Sequence, residues 1–273
     1  MAQLLTTLSQ SSLQDYHDCP RRFELRYLQQ LAYPAVEAEP ALENEKHQQE
    51  GEYFHRLAQQ YFIGIPAERI AKLANTENLQ RWWENFISDK SLPNLQNSKS
   101  LMAETTLSAP LGKFRLVAKY DLIAVEKDKV TIYDWKTYRK RPKNEWALIR
   151  WQTRVYRALL AKAGAHLNDG NPFAPEQIEM IYWYADFPSD PARFAYTAEQ
   201  HKRDWDALTK LAVEIESAPS FPMTDELARC NYCAYRSYCA RGIRAGESDE
   251  AEVETEAQEF FDINFEQIGE IAF

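Results

Sequence analysis

The sequence predicts an α/β fold, a mixed sheet with helices packed against it. Three observations lead there. Segments of helical period come first; the strand-like runs "AETTLSAPL", "KFRLVAKYDLIAV" and "KVTIYDWKT" follow one another; then a long helical pattern precedes one more strand, "IEMIYWYAD". With 273 residues, 45% of them hydrophobic and 13% aromatic, the chain can bury a sizeable core.

In chain order, "SQSSLQDYHDCPRRFELRYL" predicts a helix. Ser11 and Gln14 have capping-box spacing, Leu13, Tyr16, Phe23 and Tyr27 supply its apolar positions, and Pro20 interrupts it beside Cys19. A second helix is expected over 44–63, where Phe54, Leu57, Ala58, Tyr61 and Phe62 recur at helical spacing. A third covers 66–88, with Trp82, Trp83 and Phe86 as packing residues. After the three strands come a helix at 144–163, the strand at 178–186, a short strand near "RFAYT" and a helix at 199–217. The predicted domain is 1–245, ending in a cysteine-rich segment at 228–242, and residues 246–273 form an acidic tail whose low-complexity start should be disordered.

Charge is distributed unevenly. The net charge is −9, but residues 247–273 hold ten acidic and no basic side chains, which leaves residues 1–246 nearly neutral, with 32 basic against 31 acidic groups. An acidic total therefore does not exclude a nucleic-acid partner, since local patches set the potential a ligand meets. No apolar run is long enough for a membrane span and "MAQLLTTLSQ" has no signal-peptide pattern, so a cytoplasmic location is expected.

The run "VTIYDWKTYRK" at 130–140 puts Asp134 and Lys136 on the same side of a strand as Val130 and Ile132. If "EKDK" at 126–129 turns a hairpin, Ile123 faces Ile132 and Asp121 faces Asp134. Two carboxylates at roughly 5 Å repel. A divalent cation between them reverses that, and hard oxygen ligands suit Mg²⁺ or Mn²⁺. Lys136, one same-face step on, would overlook the ion.

On the following helix Gln152 and Tyr156 share a face. Between Lys136 and Arg157 lie eight basic residues and one acidic residue, with Trp146 and Trp151 interleaved, a mixture suited to a phosphate backbone and stacked bases. His55 borders the apolar stripe of its helix and gains meaning only as a further ligand beside Asp121 and Asp134. The four cysteines are Cys19, Cys230, Cys233 and Cys239. In a reducing compartment the C-x2-C-x5-C spacing points to ligation rather than disulfides, with Zn²⁺ and an iron–sulfur cluster both open.

Taken together, the chain resembles the PD-(D/E)XK nucleases, and within them the RecB-type branch with an iron–sulfur cluster, which includes the AddB nuclease domain and the CRISPR adaptation exonucleases. The matching motifs run in order over about 230 residues: "SSLQDYHDCPRRF", G-x3-H at Gly51 and His55, Asp121, "DWK" at Asp134 and Lys136, Q-x3-Y at Gln152 and Tyr156, and "CNYCAYRSYC". The resemblance implies a restriction-endonuclease-like core clamped by a cysteine segment. It implies that His55, Asp121 and Asp134 bind catalytic Mg²⁺ or Mn²⁺, that Lys136 assists the attacking water, and that Gln152 and Tyr156 hold the DNA strand. Glu104, on the preceding strand, would support them. It further implies a [4Fe–4S] cluster on Cys19, Cys230, Cys233 and Cys239. In "AKYD" Lys119 departs from the glycine usual before the first acid, and that acid lacks the usual preceding proline.

The expected function is a metal-dependent deoxyribonuclease, an exonuclease on single-stranded DNA or DNA ends in repair or recombination. The alternatives are DNA end trimming in CRISPR adaptation and a non-catalytic DNA-binding iron–sulfur module. The sequence holds no G-x4-G-K-[ST] nucleotide-binding loop, so a helicase is a natural partner beside repair or CRISPR proteins.

Overall fold

The structure, a computed structural model, describes residues 5–31, 39–89, 92, 95, 98–231 and 233–241, with the side chains of 39–45 excepted. The tail at 246–273 lies outside these residues.

Six strands among the described residues form one mixed sheet: β1 Thr7–Leu8, β2 Ser100–Leu111, β3 Phe114–Val125, β4 Val130–Lys136, β5 Ile178–Tyr184 and β6 Ala192–Ala195. Along the path β1-β3-β4-β5-β6, β4 and β5 run parallel, and β2 pairs antiparallel with β3 on its other side. β1 meets β3 at Arg115 and Leu116, while β4 meets the same edge at Leu122–Val125. Between these two neighbours that edge of β3 has no strand partner among the described residues, and Asp121 lies at its end.

The helices form two layers. On one side pack α1 Gln10–Asp18, α7 Trp151–Ala163 and α8 Ala198–Ser217, burying Leu13, Val155, Leu159 and Leu208 against Val130, Ile132 and Met180. On the other lie α3 Glu39–Phe62, α4 Ala67–Ala71 and α5 Glu77–Ser88, whose Phe54, Trp82 and Phe86 meet Trp135 and Trp183. The short α2 Pro20–Phe23 and α6 Asn144–Ile149 complete the set. All seven residues of β4 are buried, because helices cover both its faces. Period-two alternation then sends Tyr133 and Trp135 to the α3–α5 layer and Val130, Ile132, Asp134 and Lys136 to the α7 layer.

Three local expectations change. The first helix is capped by Ser9, whose hydroxyl accepts from Ser12 N–H while the Ser12 hydroxyl accepts from Ser9 N–H, so the capping box sits two residues earlier than Ser11 and uses a serine at its second position. The 66–88 helix is two helices, because Thr76 caps a new one by accepting from Leu79 N–H. The 144–163 helix likewise breaks at Arg150, whose extended backbone (φ −63°, ψ 145°) separates α6 from α7.

Candidate active site

The hairpin register holds as far as Leu122↔Tyr133 and then stops. Asp121 and Asp134 are therefore not a paired couple, and the strands separate there. The Asp121 carboxylate instead takes the backbone N–H of Trp135 on Oδ2 at 2.7 Å. Its Oδ1 meets Nδ1 of His55, on α3, at 3.1 Å.

A change of phase in the sheet positions that acid. Upstream in β3, Leu116, Ala118 and Tyr120 face the α7 layer, whereas beyond Asp121 it is Ile123 and Val125. Opposite, Ala103 pairs with Leu122 and Thr105 with Tyr120, but Glu104 skips its pairing with a left-handed φ of 54°. A non-glycine residue there is strained by about 1–3 kcal/mol, and such strain gathers at functional sites. Glu104 forms an ion pair with Lys119. Burial raises its carboxyl above the usual range against the pull of that lysine, and the Asp121 charge adds to the rise. Lys119 thus balances the charge of Glu104.

Across the gap, Asp134 accepts Gln152 Nε2 on Oδ1 at 3.0 Å. Its Oδ2 has a charge contact with Lys136 Nζ at 3.0 Å but takes no well-directed hydrogen bond. Lys136 Nζ donates to Gln152 Oε1 at 2.7 Å, and Tyr182, on β5, donates to the same oxygen at 3.2 Å. Gln152 therefore fixes acid and ammonium together. Tyr156, one turn on, is buried on Tyr120 with ring centroids 4.7 Å apart, and its hydroxyl accepts from Gln10 at 3.4 Å. Its described contacts belong to the core.

The charges set one another. Burial raises the Asp134 carboxyl to about 7, outweighing the nearby Lys136 ammonium, and the Asp121 charge pushes the same way. Burial would lower the His55 imidazole, but the adjacent Asp121 overrides it and holds it at about 9. Asp121 itself is lowered: burial opposes ionisation, and the His55 charge and hydrogen bond win. His55 retains 32% of its side-chain exposure, so it borders an opening, whereas Asp134 retains 4%.

Gly51, one turn before His55, explains the G-x3-H spacing. A Cβ there would meet Thr137 Oγ1 at 2.7 Å, too close for any real contact. His47, on the same helix, contacts the Thr137 carbonyl through Nε2 at 2.7 Å. Glycine lets α3 approach the end of β4 and so delivers His55 to Asp121.

The structure thus brings His55, Asp121, Asp134, Lys136 and Gln152 to one end of the sheet. Among the described residues, no group of three or more His, Cys, Asp or Glu is arranged as it stands to hold a metal ion. The hydrogen bonds above tie up Asp121 and one oxygen of Asp134. The second Asp134 oxygen, in contact with the Lys136 ammonium and with a carboxylate and an imidazole nearby, nonetheless offers the hard donors that Mg²⁺ or Mn²⁺ takes.

Tyr182 and Tyr184 are the site residues that sequence reasoning missed. Parallel pairing of β4 with β5 sets Tyr182 beside Asp134 and Tyr184 beside Lys136. The alternating "YWY" of β5 was the available signal, once that neighbour relation is known.

The segments that carry the cysteines are joined by direct contacts, with Cys19 at the end of α1. Arg229 pairs with Asp18, Tyr235 donates to the Leu31 carbonyl at 2.9 Å, and Arg21 N–H bonds the Pro222 carbonyl at 3.0 Å. The segment's cations approach the sulfur atoms, with Arg241 3.1 Å from Cys230 Sγ. Burial raises the Cys233 and Cys239 thiols. None of the four cysteines forms a disulfide among the described residues.

The sequence model of the PD-(D/E)XK nuclease superfamily matches residues 7–240, and the chain belongs to that superfamily. Among solved structures it is similar to SSO0001, at 14% identity with a TM-score of 0.42, over 89% of this chain and 90% of that one. It is also similar to a protein assigned as an exonuclease from Eubacterium rectale, at 11% identity with a TM-score of 0.48, over 81% of this chain and 85% of that one. No curated protein matches its sequence. No helix among the described residues is long and apolar enough to cross a membrane.

Proposed function

We propose that this nuclease-superfamily chain is a Mg²⁺- or Mn²⁺-dependent deoxyribonuclease, acting as an exonuclease on single-stranded DNA or DNA ends in repair or recombination. One observation carries the proposal: a buried Asp134 oxygen whose contact is the Lys136 ammonium at 3.0 Å, near a second acid, where two strands part. A purely structural sheet gains little from burying two acids with an ammonium group, because desolvation of the charges offsets their attraction.

In this reading His55, Asp121 and Asp134 hold the cation. Bound metal lowers the pKa of a coordinated water and stabilises charge on the reacting phosphate oxygens. The chain's own residues do the rest. Lys136, fixed between Asp134 and Gln152, holds a positive charge where the phosphate becomes more negative. Gln152 keeps both partners in place. Arg139, Lys140 and Lys143 are exposed just beyond β4, with Trp146 and Arg150 after them, and attract the strand.

The four cysteines are proposed to hold a [4Fe–4S] cluster clasping Cys19 to the C-terminal segment. The contacts Arg229–Asp18 and Tyr235–Leu31 between the segments that carry them support this. A helicase or another repair protein would supply opened ends, and a cytoplasmic location follows from the same reading.

The test is cleavage of end-labelled single- and double-stranded DNA with Mg²⁺ and with Mn²⁺. Shortening from ends by the wild type, with Lys136→Ala binding DNA but cutting at least about 100-fold more slowly, is the expected result. Intact DNA of every form with either metal would leave a binding module instead.

A further inference from the structure

Beyond Lys136 the sheet end carries a recess lined by Tyr138, Trp146, Arg150, Gln152, Tyr182 and Tyr184. Among the described residues no acidic side chain lines it, although Asp190 pairs with Arg141 at 2.9 Å and Asp134 with Lys136 at 3.0 Å. Cations gather on its rings: Lys136 Nζ lies 5.1 Å from the Tyr182 ring centre and 5.6 Å from that of Tyr138. The Arg150 guanidinium lies 4.8 Å from the Trp146 ring, and that of Arg141 4.9 Å from Tyr184. Tyr184 is wholly buried, yet its hydroxyl has no hydrogen-bond partner among the described residues. A buried O–H donor is rarely left unused, and a water or a ligand oxygen entering the recess would take it.

The enclosed part of the recess is water-sized and the remainder opens to solvent, so a nucleobase does not fit inside, whereas a water or a single phosphoryl oxygen does.

We propose that this recess is a phosphate subsite, in which the Tyr184 hydroxyl donates to an oxygen of a DNA phosphate neighbouring the one to be cut, with Arg150 and the ion-paired Lys136 and Arg141 beside it. The inference rests on the nuclease reading for its location but not for its test. The phosphate belongs either to a strand terminus or to the adjoining internucleotide linkage, and the chemistry recognised is the same.

Equilibrium binding of fluorescent single-stranded oligonucleotides, measured in Ca²⁺, separates the two sources. The probes carry 5′-phosphate, 3′-phosphate or hydroxyl ends, or a neutral methylphosphonate stepped through the terminal linkages. Tyr184→Phe removes only the oxygen. It should bind the phosphate-bearing probes about 10–100-fold more weakly than wild type, the loss of one hydrogen bond to a charged group. The difference should vanish when the recognised phosphate is absent or neutral. A preference for phosphorylated ends assigns the terminus; a penalty at one methylphosphonate assigns the linkage. Because the hydroxyl lacks an internal partner, the variant's thermal midpoint should equal or exceed wild type, which rules out misfolding as the cause. Equal affinity of wild type and Tyr184→Phe for every probe overturns the subsite. Cleavage with Mn²⁺ in parallel keeps the two readings apart: a phosphate effect without cleavage sinks the nuclease proposal and spares the subsite, while cleavage without a Tyr184 effect does the reverse.

Discussion

The Lys136 ammonium donates to the Gln152 carboxamide oxygen at 2.7 Å, and the nitrogen of the same amide donates to Asp134 at 3.0 Å. A single neutral side chain from α7 therefore sets the orientation of two charged ones from β4. Replacing Gln152 by Ala frees both. Steady-state cleavage should lose about 10–100-fold, as for other residues that orient metal ligands. Gln152→Glu should do no better, because it exchanges the donor facing Asp134 for a like charge. Wild-type rates in either variant would remove Gln152 from the site.

The titrations of Asp134 and His55 make metal-free stability depend on pH. Asp134 is raised to about 7, so its contribution is complete below the unfolded carboxylate range near 4 and is lost as pH rises through 7. His55 is raised to about 9, so its contribution is complete below about 6.5 and is lost as pH rises through 9. Thermal midpoints measured in EDTA should therefore fall from pH 5 to pH 9. Asp134→Asn, which cannot ionise, should raise the midpoint at pH 8 at about 2–4 °C per kcal/mol recovered, while abolishing cleavage. A midpoint lower than wild type at pH 8 would show that the buried charge is not a burden.

Gly51 and Thr137 are predicted to be coupled. A methyl group at 51 lies 2.7 Å from Thr137 Oγ1, so Gly51→Ala should cost about 1–3 kcal/mol in denaturant unfolding and displace His55. Thr137→Ala removes the obstructing oxygen. A double-mutant cycle should then return part of both stability and activity. Strict additivity would mean that α3 approaches β4 for another reason.

For the cysteine segment, protein purified without oxygen should be brown and absorb broadly near roughly 400 nm. Cys19→Ser should lose that colour, although Cys19 is far in sequence from the other three cysteines. Colourless wild-type protein with stoichiometric zinc would assign the centre to Zn²⁺ instead.

Much of this was legible in the chain. The three strands, the register of the β3–β4 hairpin and the grouping of Asp134 with Lys136 follow from period-two alternation and a short turn, both local properties. The superfamily followed from motif order, because chemistry constrains residue type and spacing even where overall identity is low. The boundaries that moved were set by caps: Ser9 and Thr76 end orphaned N–H groups, and several serines and threonines nearby had comparable credentials.

Other features depended on contacts distant in sequence. Asp121 turns to the Trp135 N–H because β1 and β4 leave a stretch of the β3 edge unpaired, and Glu104 is strained because two strands change phase together. His55 reaches Asp121 only because Gly51 lets a helix close on Thr137, and Tyr182 and Tyr184 enter the site only through a parallel pairing made after a long crossover. Residue types and their periodicity fix which elements form and which side chains carry charge. Which charges then meet, and which donor is left unused, is a matter of how the strands and helices pack, because burial and neighbouring charge exist only once the sheet is assembled.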